Sequence, residues 1–382
     1  VQPERVNDII NSLLLHYKET GLLPVWELVG NETNTMIGYH AIPVIADAIL
    51  KGFNGFNIEL AYDAMKTSAM QDKSDLNFLR ELGYIPADKE NESVSKTLEY
   101  AYDDYCIAVV ANHLNNKDDY EYFMKRANNY KNLFNPSIGF MQGKNEDGTW
   151  KFPFDPTFSK HTGHDFTEGN SWQYSWFVPH DVNGLIKFMG GKEKFNQKLD
   201  SLFIEPTGIT GDEASPDISG LIGQYAHGNE PSHHIAYLYN YSSEPWKSQQ
   251  KVNEIITTLY SSATNGLSGN EDCGQMSAWY VFSALGFYPV NPAEGIYVFG
   301  SPVFEETEIQ LENGKTFKVK AKNVSTENIY IDKVILNGTE LDKNYFHHKE
   351  IMNGGELIFE MSSTPNYNRG ISSESFPPSM SK

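Results

Sequence analysis

The chain has 382 residues, of which 50 are acidic and 30 basic, giving a formal net charge of -20. This balance argues against phosphate backbones and anionic membranes as partners, so nucleic acid is disfavoured and a neutral or cationic ligand fits better. No apolar run of roughly 18 residues occurs, so the sequence predicts no membrane span. The length favours one large domain followed by a smaller one.

The two cysteines, Cys106 and Cys273, are far apart, and each lies in an apolar or motif-rich stretch. Two buried thiols are therefore favoured over a disulfide. With two cysteines and no Cys-x-x-Cys pair, a structural zinc site is excluded. Aromatic residues make up 13% of the chain, which suits core packing and also sugar binding, because aromatic rings stack on the apolar faces of sugars.

Amphipathic patterns with polar, Gly- and Pro-rich joints run from Pro3 to about Leu285. The apolar spacing predicts helices over residues 4–17, 41–50, 58–70, 94–114, 118–133, 182–189, 192–203, 232–241, 245–260 and 273–285. Ser93 occupies the position of a helix N-cap before the fourth of them. Short joints make antiparallel helical hairpins, and the absence of a repeat of fixed length favours a closed toroid over an open solenoid.

Short alternating runs replace this pattern after Gly286 and predict a small antiparallel β unit over residues 289–364. Asn313-Gly314 and Asn337-Gly338 separate alternating segments, which is a hairpin signal. Residues 365–382 are Ser- and Pro-rich with few large aliphatic side chains, and they indicate a tail laid over the surface or left mobile. The expected division is therefore 1–288, 289–364 and 365–382.

Four joints carry clustered Trp, Glu, Asp, Asn and His side chains, where ordinary helix connections are bland. They span residues 25–38, 164–181, 225–234 and 266–279. In a toroid of helical hairpins, the joints at one end converge on a central funnel. The four joints are therefore expected to meet around one ligand.

Two of these joints carry candidate catalytic carboxyl groups. Glu168 stands among aromatic residues, an environment that desolvates a carboxyl and raises its pKa as a general acid requires. A capping or salt-bridged glutamate is the alternative. Glu271 and Asp272 precede a helix, where one carboxylate can satisfy the helix N-terminus and leave the other free. A glutamate with a raised pKa and an ionised aspartate on facing loops are the parts of a glycosidase.

The joint over residues 225–234 offers polar groups able to hold hydroxyls or an ion, namely His227, Asn229, Glu230, His233 and His234. Adjacent histidines seldom bind one metal together, so zinc is disfavoured, whereas Asn, Glu, backbone carbonyl and sugar hydroxyl oxygens suit calcium. Helix capping is the competing role for Asn229 and Ser232. An acidic turn with Asp212, Glu213 and Asp217 lies just upstream and lacks the spacing of an EF-hand.

Five long segments carry a family resemblance: PVWELVGNETNTMIGYH, GYIPADKENESVSKTLEYAYDDYC, DFTEGNSWQYSWFVPHD, SPDISGLIGQYAHGNEPSHHIAYLYNY and GLSGNEDCGQMSAWYVFSALGFYPV. In them the sequence resembles glycoside hydrolase family 92, the calcium-dependent exo-acting α-mannosidases. The resemblance implies a mainly α fold, an (α/α)6 barrel followed by β structure, with an N-terminal β-sandwich domain ahead of it. The sandwich and the first barrel helix have no counterpart here. The chain is therefore expected to be a fragment, with that sandwich as its partner across the active site.

By this resemblance Glu168 is the general acid that protonates the glycosidic oxygen, and Asp272 is the general base that takes a proton from the attacking water. Family members invert the anomeric configuration, which predicts carboxyl groups roughly 6.5–9.5 Å apart. Calcium is the expected cofactor, binding the 2- and 3-hydroxyls of the terminal mannose and helping to distort the ring. Its protein ligands are expected from Glu230, His233 and His234, partly through backbone carbonyls.

Further sugar contacts are expected from aromatic, acidic and amide side chains of the joints, namely Trp26, Glu27, Glu32, Trp172, Asn229, Glu230 and Asn270. Two positions depart from the family pattern. Asn270 replaces an aspartate that is a second candidate for activating water, so the base role falls on Asp272 alone. Asn229 replaces the histidine of α-1,2-specific relatives, which leaves α-1,3, α-1,6 or another linkage open.

The sequence therefore predicts an inverting, calcium-dependent exo-α-mannosidase acting on mannose-terminated oligosaccharides or glycoprotein glycans, such as N-glycans or yeast-type mannan. A secreted, periplasmic or cell-surface location is expected by resemblance alone. The alternatives are a non-catalytic glycan-binding toroid and an inverting glycosidase or phosphorylase of another sugar. Nucleotide and serine-hydrolase chemistry are disfavoured, because no Walker loop, GxGxxG motif in a strand–helix context or GxSxG elbow occurs.

Overall fold

The computed structural model describes residues 2–382, except for the side chain of Ser74. Its α-helices are α1 (Pro3–Thr20), α2 (Ala41–Leu50), α3 (Ile58–Ala69), α4 (Ser74–Leu82), α5 (Ser93–His113), α6 (Lys117–Arg126), α7 (Ser171–Tyr174), α8 (Val182–Phe188), α9 (Lys192–Ile204), α10 (Pro245–Leu259), α11 (Gln275–Leu285) and α12 (His348–Met352). Further 3-10 helices lie at Asn129–Asn132, Glu230–Ser232, Ile235–Tyr241 and Pro292–Glu294.

The strands are short, and most of them lie in the last quarter of the chain. They are β1 (Glu27–Leu28), β2 (Asn31–Glu32), β3 (Phe134–Asn135), β4 (Phe140–Met141), β5 (Leu221–Ile222), β6 (Tyr225–Ala226), β7 (Phe287–Tyr288), β8 (Ile296–Phe299), β9 (Glu306–Gln310), β10 (Thr316–Lys322), β11 (Tyr330–Leu336), β12 (Thr339–Glu340), β13 (Tyr345–His347) and β14 (Gly355–Ser362). The protein is thus mostly helical with small sheets, as the sequence predicts.

Most predicted helices are confirmed to within a few residues, and α2 matches its predicted range. Three stretches differ. Residues 74–82 form α4, which the apolar pattern does not predict, because nine residues are too few to establish a period. Residues 118–133 divide, since α6 stops at Arg126 and a 3-10 turn follows. Residues 235–241 form a 3-10 helix rather than an α-helix, and all of them are buried, so packing on every side replaces an amphipathic face.

Helix α5 is the central helix of the fold, and nearly all of its 21 residues are buried. The predicted N-cap role of Ser93 is wrong, because Ser93 is the first helical residue and Glu92 precedes it with a φ of 58°. The reason is tertiary. The Asp165 carbonyl accepts the backbone N–H groups of Val94 and Ser95 at 3.0 and 3.3 Å. A neighbouring loop therefore satisfies the helix N-terminus in place of a side chain.

The hydrophobic core has three parts. One helical cluster contains Leu98 of α5 with Trp176 and Trp279, and a second contains Ile107 of α5 with residues of α1 to α4. Helix α5 therefore contributes side chains to both. The third cluster fills the β unit around Phe317 and Phe346.

The β unit contains a five-stranded sheet in the order β12-β11-β14-β10-β9 and a three-stranded sheet in the order β13-β8-β7. Both Asn-Gly hairpins are confirmed, because β9 pairs with β10 across Asn313-Gly314 and β11 pairs with β12 across Asn337-Gly338. In one respect the unit differs from the predicted antiparallel arrangement. Strands β10 and β14 pair in parallel, which the long connection through β11 to β13 permits.

The last residues of the chain return to the helical part. The Met380 N–H donates to the His180 carbonyl at 2.9 Å, and the Ser381 hydroxyl donates to Asp181 at 2.7 Å. Asp181 is the N-cap of α8. The end of the chain is therefore held against the start of that helix.

Cys106 and Cys273 are both free thiols, as predicted. Cys106 is buried, but the predicted burial of Cys273 is wrong, because its side chain is exposed. Cys273 lies in a left-handed turn with a φ of 57°, ahead of α11 rather than inside it. Within residues 2–382, none of the helices is long and apolar enough to cross a membrane.

Candidate active site

The loops around residues 219, 228 and 269 touch through their backbones. A Cβ atom on Gly269 would overlap the Gly228 carbonyl, and one on Gly228 would overlap the Ser219 side chain and the Ser268 carbonyl. Only glycine permits such an approach. The joints that carry Glu230 and Asp272 are therefore locked together, and the acidic turn with Asp217 joins them.

The loop that carries Glu168 is fastened to the N-terminus of α5. The Thr167 N–H donates to the Ser95 hydroxyl at 2.9 Å, and the Thr167 hydroxyl donates to the Glu92 carboxylate at 2.9 Å. On its other side the loop enters α7 through a capping box formed by Asn170 with Gln173. Glu168 lies between these anchors with a left-handed φ of 48°, a conformation that non-glycine residues adopt at a cost of about 1–2 kcal/mol.

The pKa of Glu168 is raised above its ordinary value. Burial is the main cause, and the negative charges of Asp217 and Asp272 add to it, while Asn229 and His161 act in the opposite direction. The predicted desolvation of this carboxyl is therefore confirmed. A half-buried carboxyl that stays protonated at higher pH is suited to general acid catalysis.

The Asp272 side chain is exposed, and it follows a glutamate that serves the next helix. The Glu271 carboxylate accepts the Ser277 N–H at 3.2 Å, which satisfies the first turn of α11. One of the two adjacent acids therefore satisfies the helix N-terminus, as predicted, and the Asp272 side chain does not take part in that cap. Asp272, Cys273 and Gly274 have φ angles of 39°, 57° and 92°. Because of this left-handed turn, α11 begins at Gln275 and not at the predicted Cys273.

Glu230 faces Asp272, and this contact perturbs its titration. The pKa of Glu230 is raised to about 7 by burial, and then by the charge of Asp272, a hydrogen bond with Asp272 and the charge of Glu168. The Oε1 atom of Glu230 is buried without a hydrogen-bond partner among residues 2–382. We call Glu168, Asp217, Glu230 and Asp272 the carboxylate cluster. Its like charges favour either a shared proton or a bound cation.

Two members of this region are not among the predicted site residues. Asp217 accepts the Ser215 hydroxyl at 2.9 Å and lies 3.5 Å from the Asn270 amide nitrogen. His161 approaches the same turn, where its backbone N–H donates to the Glu213 carbonyl at 2.8 Å. For Asp217 the sequence did give a signal, because this residue belongs to the acidic turn with Asp212 and Glu213. His161 lies outside the four joints, and no local pattern marks it.

His233 and His234, predicted as calcium ligands, use their rings to hold the fold. The His233 ring contacts the His227 carbonyl at 3.0 Å and the Gln275 amide at 3.2 Å, and the His234 ring contacts the Trp176 carbonyl at 2.8 Å. Burial lowers the pKa of each to about 4. Among the described residues, no group of three His, Cys, Asp or Glu side chains is placed to hold a metal ion.

The predicted sugar contact from Trp172 also meets a different environment. The indole is 7% exposed, meets the Phe140 ring edge to face at 4.8 Å, and lies under the Lys198 ammonium at 4.1 Å. Little of its surface is open for a sugar, because these core partners occupy it. Its aromatic neighbours in the 164–181 joint are likewise core residues, namely Phe166, Tyr174 and Trp176.

Trp26, Glu27 and Glu32 lie on the β1–β2 hairpin. The Glu32 carboxylate accepts the backbone N–H groups of Val25, Trp26 and Asn34, and these contacts outweigh burial and lower its pKa. Glu27 is exposed, with His16 of α1 at 3.9 Å. The polar contacts of this hairpin are internal or reach α1. Within residues 2–382, none of them links it to the carboxylate cluster, whereas Asn229, Glu230 and Asn270 all lie there.

A glutamate with a raised pKa near an exposed aspartate, on converging loops of a helical protein, is the arrangement of a glycoside hydrolase. Residues 1–363 match the model of the glycosyl hydrolase family 92 catalytic domain, and the chain belongs to that family. The resemblance inferred from the five segments is thus confirmed.

Two solved structures and one further relative are similar to this chain. The family GH92 α-mannosidase BT3965 from Bacteroides thetaiotaomicron, in complex with mannoimidazole, is 48% identical with a TM-score of 0.95 over 99% of this chain and 51% of its own. The inverting mannosidase BT2199 from the same species is 38% identical with a TM-score of 0.91 over 100% of this chain and 53% of its own. An uncharacterized secreted glycosidase of Arthroderma benhamiae is 30% identical over 98% of this chain and 51% of its own length. The chain thus spans about half the length of these relatives.

Proposed function

We propose that this chain carries the catalytic carboxyl groups of an inverting, calcium-dependent exo-α-mannosidase. The proposal rests on the carboxylate cluster, in which Glu168 has a raised pKa and Asp272 leaves its side chain exposed after Glu271 has served the helix. The family match and the likeness to two mannosidases support mannose as the sugar. We also propose that the helices belong to an (α/α)6 barrel, with the cluster at one end.

In the proposed reaction Glu168 gives its proton to the glycosidic oxygen as the bond to the anomeric carbon breaks. The leaving group then departs as a neutral alcohol rather than as an alkoxide. Burial, and then the nearby charges of Asp217 and Asp272, raise the pKa of Glu168, so this carboxyl keeps its proton to higher pH than an exposed glutamate does. A sugar leaving group needs this proton far more than an activated aryl group does.

Asp272 takes a proton from a water molecule that attacks the anomeric carbon from the face opposite the leaving group. The attack inverts the configuration and leaves Asp272 protonated and Glu168 ionised, so both exchange a proton with solvent before the next turnover. The exposure of Asp272 leaves space for the water. An inverting enzyme requires the two carboxyl groups to be roughly 6.5–9.5 Å apart.

We propose a calcium site beside Glu230. The residues fit a hard cation, since the Glu230 Oε1 atom is buried without a partner in the described chain, and since burial and then the negative charges of Asp272 and Glu168 raise the pKa of this group. Glu230, with amide and backbone oxygens of the 225–234 joint, would hold the ion, and the engaged rings of His233 and His234 would not. When bound, calcium would orient the 2- and 3-hydroxyls of the terminal mannose and favour a distorted ring.

The proposed substrates are mannose-terminated oligosaccharides or glycoprotein glycans, attacked from the non-reducing end. A secreted or cell-surface setting fits such substrates, and the relative from Arthroderma benhamiae bears the name of a secreted glycosidase. A β-sandwich domain is proposed to complete the pocket. Such a domain would help to place the β1–β2 hairpin next to the sugar. In this hairpin Trp26 is 36% exposed and Leu28 52% exposed.

The test is mannose release from α-1,2-, α-1,3-, α-1,4- and α-1,6-mannobiose, with and without a calcium chelator. It is made on this chain and on the longest natural polypeptide that contains it. The proposal expects release by the longer polypeptide, reversible loss of release on chelation, and recovery on adding calcium. Release that ignores the chelator would contradict the calcium site, and binding without release would favour a glycan-binding protein.

A further inference from the structure

Asn229 links the loop of the proposed acid to the loop of the proposed metal site. Its amide nitrogen donates to the Glu168 backbone carbonyl at 3.1 Å and lies 3.5 Å from the Glu168 Oε2 atom. Both acceptors belong to one residue, so a single amide group restrains the Glu168 side chain relative to its own backbone. The contact crosses 61 positions of sequence, and nothing local would reveal it.

The contact from Asn229 restrains Glu168, whose backbone conformation is unfavourable for a glutamate. Glu168 has a left-handed φ of 48°, and a glutamate without support would relax from this conformation and turn its carboxyl elsewhere. Thr167 on one side and Asn170 on the other are anchored. Asn229 supplies the remaining restraint at Glu168 itself, and the 3.1 Å carbonyl contact is the firmer of its two.

Asn229 is itself well placed to act as a fixed support. It is 9% exposed, its carbonyl accepts the Ser232 N–H at 3.2 Å, and its N–H contacts the Ala226 carbonyl at 3.4 Å. The preceding Gly228 is wedged against Ser219 and Ser268. A shift of Asn229 would therefore require a shift of three packed loops.

We infer that Asn229 is a positioning residue that aims the Glu168 carboxyl at the glycosidic oxygen, in addition to any contact with the sugar. The inference rests on the proposed function, because it assigns Asn229 a task within that reaction. Asn229 acts through Glu168 and transfers no proton. The consequence is selective, since its loss should slow those substrates whose leaving groups need a proton and should spare those whose leaving groups do not.

The experiment compares Asn229→Ala, Asn229→Asp and Glu168→Gln on a mannobiose and on an activated aryl α-mannoside, in the longest natural polypeptide that contains this chain. Glu168→Gln removes the proposed acid, and its loss of kcat on each of the two substrates is the reference for the Asn229 variants. Asn229→Asp keeps the shape of the side chain and replaces the donor with an acceptor. Asn265→Ala, which removes an exposed asparagine near the same loops, is the matched control and is expected to behave as the unmodified protein.

Asn229→Ala is expected to lower kcat for the mannobiose by about 10- to 100-fold, which is part of the usual contribution of a general acid. It is expected to lower kcat for the aryl mannoside by less than about 3-fold, because that leaving group needs no proton. Equal losses on both substrates, or a change confined to KM, would overturn the inference and leave Asn229 as a sugar-binding residue. If Asn229→Ala fails to fold, Asn229→Asp decides by the same ratio. Absence of activity in the unmodified protein would instead count against the proposed function.

Discussion

Two groups of clustered carboxylates lie in the helical part of the protein, and they differ in what faces them. In the first, on helix α5, Asp104 pairs with the Arg126 guanidinium at 2.7 Å, while Asp103 and Glu99 both contact the His40 ring, at 2.8 and 2.7 Å. Burial alone would lower the pKa of His40, but these two carboxylates raise it well above the ordinary value. We call this group the α5 ion network.

The carboxylate cluster is the second group, and it has no such counter-charges. Among residues 2–382, no lysine or arginine pairs with Glu168, Asp217, Glu230 or Asp272, and the groups that approach are amides, a hydroxyl and His161. Burial with a partner holds a structure together, whereas burial without one perturbs protonation, which is what acid catalysis and cation binding use. Both groups consist of aspartate and glutamate side chains, and they differ in whether a cationic partner faces them.

The largest expected effect is on turnover, from Asp272→Asn. Removal of the proposed base should lower kcat by at least about 1000-fold, while binding of a mannose-derived inhibitor and the unfolding midpoint stay close to those of the unmodified protein, because Asp272 is exposed. Steady-state kinetics and an inhibitor titration measure this.

Glu271→Gln is the matched control, since Glu271 caps α11. It should lower the unfolding free energy by about 0.5–1 kcal/mol with little change in kcat. If Asp272→Asn retains more than a few per cent of activity, or if Glu271→Gln abolishes it, the base role of Asp272 is contradicted.

The next largest effect is on the free energy of unfolding, which substitutions in the two groups should change in opposite directions. Arg126→Met leaves the buried Asp104 charge unpaired and should lower the free energy of unfolding by about 3–5 kcal/mol. Glu230→Gln should raise the free energy of unfolding. The pKa of Glu230 is raised to about 7 in the folded protein, against about 4.5 in the unfolded chain, so the folded state binds more protons. The carboxyl therefore costs stability as the pH rises from about 4.5 towards 7, and glutamine removes this cost.

Urea unfolding in metal-free buffer at pH 8 and at pH 4.5 measures both variants. The gain from Glu230→Gln should be present at pH 8 and mostly lost at pH 4.5, where the folded carboxyl is protonated and the unfolded one is half protonated. A loss of stability at pH 8 would show that Glu230 already has a compensating partner, and the contrast between the two groups would fail.

The smallest expected effect is a shift in a pH profile. Asp217→Asn removes the charge that, after burial, contributes most to the raised pKa of Glu168. The pKa of Glu168 should fall, so the alkaline decline of kcat/KM for a mannobiose should move to lower pH.

Asp212→Asn, on the same turn and exposed, serves as the control and should leave the profile in place. An unchanged or upward-shifted decline in Asp217→Asn would show that the charge of Asp217 does not raise the pKa of Glu168.

The comparison also explains what the sequence could predict. Helix ranges such as that of α2 and the turns at Asn313-Gly314 and Asn337-Gly338 follow from periodicity and turn chemistry, which are local. Glu168 and Asp272 were found from the motifs around them. The motifs do not say which neighbours face a side chain, so the proximity of Asp217 and His161 to Glu168 could not be predicted.

The direction in which a side chain points also could not be predicted from the sequence. Trp172 was expected to contact sugar because it is an aromatic side chain of the joint that carries Glu168, but α7 directs its ring to Phe140 in the core. The rings of His233 and His234 point to backbone carbonyls for the same reason. A residue type and its spacing predict that a polar or aromatic group is present, and only the tertiary fold decides where it points.

Helix α5 connects the two groups through one rigid body. Its first backbone N–H groups donate to the carbonyl of Asp165 in the loop that carries the proposed acid, and two turns further on it carries Asp103 and Asp104 of the ion network. A partial melting that frees this helix would misplace Glu168 as well. The placement of the proposed acid is therefore coupled to the folding of α5, and a version of the chain without this helix is expected to lose both.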